Sequence, residues 1–214
     1  MVLLLVASST TVVLAEGGNR ALMEQLRAGG VVIYFRHGIT ETTQSDHQPL
    51  NLEECAAQRN LSQAGREQMR AIGQAMNALQ IPLGKVLASP YCRTLESGRL
   101  AFGRADGESR LRYVGPMTGQ HRERQIRDLR MLLATPPAQG RNTVLIAHRG
   151  NLLAATGEDL AEGEAAVYRP EAGGGFTLVG RLAAEDWSRF SAVWSALGEP
   201  DQEECREPSR LPMD

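Results

Sequence analysis

Four side chains that could bind an oxyanion or act as nucleophiles lie just after apolar segments of the chain. Arg36 and His37 follow VVIYF, Arg93 comes shortly after KVLA, and His148 ends TVLIAH. A guanidinium group donates parallel hydrogen bonds that match phosphate oxygens, and it stays charged at any physiological pH. A neutral imidazole is a nucleophile that can carry a phosphoryl group. Two arginines and two histidines around one point predict a site for a tetrahedral dianion.

The segments in front of these four residues predict strands of one sheet. VVIYF, VLA and TVLIA are continuous apolar runs, which are typical of strands covered on both faces. Helical patterns alternate with them, which favours the α/β class: a three-layer α/β/α sandwich on a mostly parallel central sheet. Such sheets bind ligands beyond the carboxyl ends of their strands, so the four side chains are expected at one edge.

Apolar spacing predicts the elements around those strands. One amphipathic helix is indicated by apolar residues at steps of three and four, with Asn60 or Ser62 as its cap; they are Leu61, Met69, Ile72, Met76 and Leu79. Residues 39–60 lack such periodicity and predict a long loop, which in a compact domain is usually functional. Two more strands are expected at 165–170 and 176–182, and helices at 121–134 and 186–198.

Gly38 is expected to end the first strand. Successive strand side chains point to opposite faces of a sheet, so Arg36 and His37 can converge only where the strand breaks. Glycine suits such a break because it lacks a Cβ atom.

Composition narrows the class of protein. The 214 residues carry a formal charge of −2, which argues against nucleic acid as a partner. Residues 1–15 are apolar and predict a signal peptide, although no basic residue precedes Arg20. We therefore expect a periplasmic or secreted protein without stable membrane insertion after cleavage, or a cytoplasmic one if the leader is no signal. Residues 16–198 then form the domain, and 199–214 a flexible tail.

The cysteines do not indicate a metal site. Cys55, Cys92 and Cys205 show neither a CxxC spacing nor a zinc-like spacing with the histidines. In an oxidising compartment Cys55 and Cys92 are the preferred pair, because Cys205 lies in the expected tail; three unpaired thiols remain the alternative. We expect no metal and no cofactor.

Four sequence motifs, taken in order, resemble the histidine phosphatase superfamily, also called phosphoglycerate-mutase-like. RHG follows the first strand, LSQAGREQ opens the next helix, SPYCRT follows the second strand, and a late strand ends in histidine. The resemblance implies that His37 accepts the phosphoryl group, that Arg36 and Arg93 bind it, and that His148 stabilises it. Arg59, in the loop segment CAAQRNLS, would add a phosphate contact if the chain is similar to an exported branch of the superfamily.

The proton donor for the leaving group is the least defined residue. Some superfamily members place an acidic residue directly after the second histidine, but here Arg149 and Gly150 follow His148. Glu162 is our candidate because it precedes a strand that should reach the site. Three further carboxylates remain open as alternatives: Glu164, Glu123 and Asp128.

The function expected from these residues is metal-independent hydrolysis of small phosphomonoesters through a phosphohistidine on His37, as in histidine acid phosphatase-like enzymes. One alternative is a phosphoglycerate-mutase-type phosphotransferase, which differs only in the acceptor of the phosphoryl group. Another is a non-catalytic module of the cell envelope that binds phosphate or polyanions. Retention of both histidines favours an enzyme, because arginines alone would serve binding. Neither the physiological substrate nor the oligomeric state follows from the sequence.

Overall fold

The computed structural model describes residues 20–197. The predicted signal peptide at 1–15 and the predicted tail at 199–214 lie outside these residues. Within them, six strands and six α-helices alternate along the chain except that β6 follows β5 directly. Their bounds are α1 (20–28), β1 (Val32–Arg36), α2 (Gln63–Ala78), β2 (Leu83–Ala88), α3 (Cys92–Phe102), β3 (Asp106–Gly107), α4 (Gly119–Ala134), β4 (Asn142–Ala147), α5 (Arg149–Thr156), β5 (Ala165–Pro170), β6 (Phe176–Leu182) and α6 (Ala184–Leu197).

The strands form one six-stranded sheet in the order β3-β2-β4-β1-β5-β6. β3, β2, β4 and β1 run parallel, whereas β5 is antiparallel to both of its neighbours. The predicted mostly parallel sheet is therefore confirmed, as is the three-layer arrangement. The order places β4 between β2 and β1, so the carboxyl ends of the three strands that precede the candidate residues are adjacent.

Helices cover both faces of the sheet, which explains the unbroken apolar runs in the strands. Ile33 and Phe35 of β1 pack in a core formed with α1, α2, α3 and α6. Val32 and Tyr34 of the same strand pack on the opposite face against α4 and α5. Water is excluded from both sides of the strand, so neither face needs polar residues.

The helix that follows the long loop begins where the sequence predicts. Ser62 is the N-cap residue of α2, and its hydroxyl accepts a hydrogen bond from the Gly65 amide at 3.1 Å. The five apolar residues predicted for its inner face are all buried. Short β3 and the eight-residue helix α5, which starts directly after His148, are additions that the periodicity did not predict.

A disulfide joins the long loop to the first residue of α3. Cys55 and Cys92 are bonded, which confirms the preferred pair. Separately, no helix within residues 20–197 is long and apolar enough to cross a bilayer. In the chain-entropy description, cross-linking residues 37 apart restricts the unfolded chain and stabilises the fold by about 3–4 kcal/mol.

Loss of this disulfide is expected to lower the unfolding temperature by roughly 10 °C. Thermal unfolding of the wild type with and without reductant measures the effect, and the Cys55→Ser, Cys92→Ser double variant serves as the control. The variant should unfold at the temperature of the reduced wild type and should not respond to reductant. Equal unfolding temperatures for oxidised and reduced wild type would contradict the stabilising role.

Candidate active site

His37, Arg93 and His148 meet at the carboxyl edge of the parallel strands. His37 follows β1 directly and its amide donates to the Ala147 carbonyl of β4 at 3.1 Å. His148 follows β4, and the two imidazole rings meet edge to face with centres 5.6 Å apart. Arg93 lies in the first turn of α3, five residues beyond β2. The predicted convergence of the three strand ends is therefore what the structure contains.

The backbone around Gly38 fixes the orientation of the His37 ring. His37 Nδ1 lies 2.9 Å from the Gly38 carbonyl oxygen, which can only accept a hydrogen bond, so Nδ1 carries the proton. The lone pair is then on Nε2, the atom available for attack. Gly38 is needed for close packing: a Cβ atom there would lie 2.8 Å from Met69 Cγ and 2.9 Å from the Gly65 carbonyl oxygen of α2.

The surroundings of His37 keep its imidazole neutral. Burial is the main cause that lowers its pKa, to about 3, and the positive charges of Arg93, Arg36 and Arg59 act in the same direction, while the hydrogen bond with Gly38 opposes them. A neutral imidazole at neutral pH is the form a nucleophile requires. Free histidine binds a proton near pH 6.5, so the stability contributed by neutral His37 is complete above that pH and is lost as the pH falls towards 3.

We expect the His37 ring to stay neutral when the protein is titrated from pH 7 to pH 5. The ring nitrogen chemical shifts of 15N-labelled protein report the protonation state directly, and the His37→Asn variant assigns the signals. Constant shifts over this range are expected because the pKa of about 3 lies well below it. A His37 titration centred near pH 6.5 would contradict the proposed environment.

Four neighbours hold His148. The Tyr34 hydroxyl donates to the His148 carbonyl at 2.8 Å and accepts from its amide at 3.1 Å, so the backbone is fixed from below the site. His148 Nε2 lies 2.8 Å from the Ser89 hydroxyl, and the Tyr91 and Tyr113 rings pack against the imidazole with centres 4.8 and 5.1 Å away. When Ser89 donates to Nε2, the proton of His148 is on Nδ1, a buried atom without a partner among residues 20–197.

Hydrogen bonds to its terminal nitrogens and a ring on one face hold the guanidinium group of Arg93. Asp46 of the long loop binds its NH1 and NH2 groups at 2.8 and 3.2 Å, and the Arg59 carbonyl accepts from NH1 at 3.1 Å. The Tyr91 ring lies 4.6 Å from the guanidinium carbon and covers one face. The side chain is only 5% exposed, so its direction is fixed by these contacts.

Arg36 and Arg59 share one carboxylate, that of Glu162. Glu162 Oε1 lies 3.1 Å from Arg36 NH2 and 3.6 Å from Arg59 NH2, and it accepts from the Thr40 hydroxyl at 2.7 Å. Arg36 NH1 also donates to the Leu160 carbonyl at 3.0 Å. Glu162 thus holds two of the predicted phosphate ligands in place.

Three buried polar atoms around these residues make no hydrogen bond within the described chain: Arg36 Nε, Arg59 Nε and His148 Nδ1. Two of them are donors, and the third is a donor in the tautomer described above. Buried donors without partners are rare in proteins and cost free energy. All three atoms belong to residues that the sequence predicts as phosphate ligands, and donors without partners are what a bound oxyanion needs.

Comparison with solved structures identifies the fold. A proposed alpha-ribazole-5'-P phosphatase from Escherichia coli superposes with a TM-score of 0.52 at 14% identity, covering 70% of this chain and 95% of that one. The protein histidine phosphatase SixA bound to tungstate gives 0.49 at 16% identity over 73% of this chain and 98% of its own. The matching structures are consistently members of the histidine phosphatase superfamily. The chain has the histidine phosphatase fold. No family model and no curated protein matches its sequence.

Within the histidine phosphatase fold, the predicted site residues lie together. Direct contacts link Glu162 to Arg36 and Arg59, and Arg93 to the Arg59 carbonyl. The three arginines act electrostatically on His37, and His148 packs beside His37. The described residues hold no group of three or more histidine, cysteine, aspartate or glutamate side chains arranged as metal ligands.

The side chains of the three alternative acids have other surroundings in the histidine phosphatase fold. Glu164 binds Arg181 at 2.6 Å, and Glu123 pairs loosely with Arg127 on the exposed face of α4. Asp128 lies with His121 in a separate depression beside α4. Sequence reasoning missed Asp46, Ser89 and Tyr91, because only the folded loop and helix start bring them to Arg93 and His148.

Proposed function

We propose that this chain is a phosphatase that hydrolyses small phosphomonoesters through a phosphohistidine on His37, without a metal. The observation that carries the proposal is the buried neutral imidazole of His37, with Nε2 free, among three arginines. Positioning and charge complementarity supply most of the catalysis in phosphoryl transfer. Both are provided here by side chains of the chain itself.

The reaction takes place in two steps that share one site. His37 Nε2 attacks the phosphorus, the bond to the leaving oxygen breaks, and the leaving group departs with that electron pair and gains a proton. Water then attacks the phosphohistidine, the N–P bond breaks, and the electron pair returns to Nε2 as inorganic phosphate forms. Arg36, Arg59, Arg93 and the Nδ1–H of His148 bind the phosphoryl oxygens in both steps.

Glu162 remains our candidate for the proton donor, and its carboxylate pairs with Arg36 and Arg59. A general acid contributes about 10²–10⁴-fold, and mainly for leaving groups that need protonation. If Glu162 is the acid, Glu162→Gln should greatly slow hydrolysis of an alkyl phosphate and barely affect p-nitrophenyl phosphate. Equal losses with both substrates would instead assign Glu162 to the positioning of the two arginines.

We further propose a periplasmic or secreted location. The Cys55–Cys92 disulfide supports it, because such bonds persist mainly in oxidising compartments. Fractionation of the cells that make the protein, followed by immunoblotting, tests this location; recovery in the cytoplasm with reduced thiols would contradict it.

Release of inorganic phosphate from p-nitrophenyl phosphate by the pure protein tests the proposed function. Turnover that persists in the presence of a chelator is expected. Turnover that the chelator abolishes would contradict the metal-free mechanism. Phosphate binding without any turnover would favour the non-catalytic binding module, and transfer of the phosphoryl group to an added sugar phosphate faster than to water would favour a phosphotransferase.

A further inference from the structure

Three of the five N–H groups of the Arg93 guanidinium donate hydrogen bonds within the protein, and the other two lie together along one edge. NH1 uses both of its hydrogens, one on Asp46 and one on the Arg59 carbonyl, and NH2 uses one on Asp46. Among residues 20–197, no hydrogen-bond acceptor contacts Nε or the second NH2 hydrogen. These two N–H groups point the same way from one edge of the plane and form the fork that binds two oxygens of a phosphate.

Asp46 is built into the loop and is not placed to leave when substrate arrives. Its Oδ1 atom accepts from the Arg59 amide at 3.0 Å in addition to Arg93, and withdrawal would leave that amide without its partner. The same stretch of loop is fastened to the start of α3 by the Cys55–Cys92 bond and by the Cys92 amide, which donates to Gln58 at 3.0 Å.

We infer that Asp46 is a positioning residue that holds the outer end of Arg93, so that its Nε–NH2 edge faces the transferring phosphoryl group. This inference rests on the proposed phosphatase function. The carboxylate adds a negative charge near the bound dianion, which disfavours phosphate binding in the ground state. Its benefit is therefore expected in the transition state, where the direction of the guanidinium fork matters most.

The Asp46→Asn variant separates these two effects. Asparagine keeps an oxygen for the Arg59 amide but cannot accept from both ends of Arg93, since its NH2 group would face another donor. We expect kcat/KM for p-nitrophenyl phosphate to fall by about 10-fold or more, because small misplacements of a catalytic group have effects up to about 100-fold. Vanadate, which mimics the five-coordinate transition state, should lose affinity by a similar factor, while phosphate should bind no more weakly.

Asp186→Asn is the matched control. Asp186 also accepts from one backbone amide, that of Ala183, and pairs with one arginine, Arg189. Its side chain is 25% exposed, against 21% for Asp46, but it lies at the start of α6. This variant should keep wild-type kcat/KM and wild-type vanadate affinity.

A double-mutant cycle with Arg93→Lys shows whether Asp46 acts through Arg93. Once the fork is gone, Asp46→Asn should cause little further loss, whereas additive losses would overturn the inference. Unchanged kcat/KM with tighter phosphate binding would identify Asp46 as a competitor of substrate and overturn it as well. Equal losses of phosphate and vanadate affinity would assign Asp46 a merely structural role. If the asparagine variant does not fold, Asp46→Ser provides the same comparison.

The proposed function and this inference fail in different ways. A wild-type protein without turnover contradicts the function, and the ratio of vanadate to phosphate affinity, measured by calorimetry, still tests Asp46. An active wild type with an equally active Asp46→Asn variant contradicts only the role of Asp46.

Discussion

Replacement of His37 by alanine is expected to lower kcat by about four orders of magnitude or more, which is the scale on which loss of a nucleophile acts. The reason is that no other group among the described residues combines an imidazole nitrogen free for attack with the electrostatic influence of all three arginines. His148 cannot substitute, because its Nε2 atom is bound to Ser89 and its backbone is fixed by Tyr34. Steady-state hydrolysis of p-nitrophenyl phosphate measures the effect.

Phosphate binding is expected to survive the same substitution. Arg36, Arg59 and Arg93 provide the charge, and none of them depends on the His37 ring for a hydrogen bond. Calorimetry with inorganic phosphate should therefore give an affinity close to that of the wild type, and His121→Ala, at an exposed histidine on α4, should leave both activity and binding unchanged. Substantial turnover by the His37→Ala variant would refute the assigned nucleophile.

Replacement of Arg93 by lysine is expected to have the second largest effect, a loss of about 100-fold or more in kcat/KM. Lysine keeps the positive charge but presents a single ammonium group, which cannot donate two parallel hydrogen bonds to the phosphoryl oxygens. It also cannot bind both Asp46 oxygens and the Arg59 carbonyl while facing the substrate. The loss should appear mainly in kcat, because the charge that attracts the dianion remains.

Arg66→Lys is the matched control for this substitution. Arg66 of α2 also binds a carboxylate, Glu96 of α3, at 2.7 Å. The Arg66→Lys variant should keep wild-type kcat/KM. If Arg93→Lys were as active as Arg66→Lys, bidentate binding by Arg93 would play no part in catalysis.

The strands and the residues at their ends could be predicted because local patterns encode them. Continuous apolar runs mark strands covered on both faces, and the polar residues after them must lie at the carboxyl edge of a parallel sheet. His37, Arg93 and His148 follow from that rule alone. Ser62 and the inner face of α2 follow from capping and helical periodicity, which are equally local.

Contacts made by the long loop could not be predicted in the same way. Asp46 lies 47 residues before Arg93 in a segment without periodicity, among several carboxylates of equal chemistry. Only the folded loop, fastened by the disulfide, selects it as the partner of Arg93. The same holds for Glu162. Its place before β5 was predictable, but its bridge between Arg36 and Arg59 depends on how the long loop and the segment between α5 and β5 fold together.

The eight-residue helix α5 was missed for a related reason. Its apolar residues include buried Leu152 and exposed Leu153, and Gly150 stands in its first turn, so the helical pattern is weak. Its position is fixed by packing against α4 and by the strand before it.

Detection of a phosphoryl group on His37 tests the proposed covalent mechanism. The protein is mixed with p-nitrophenyl phosphate, quenched within milliseconds in alkali, where phosphohistidine survives, and digested for mass spectrometry. We predict one phosphorylated peptide, modified at His37, which is lost in the His37→Ala variant and disappears once substrate is exhausted. Rapid turnover with no phosphohistidine at any time, or with the phosphoryl group on another residue, would refute His37 as the nucleophile.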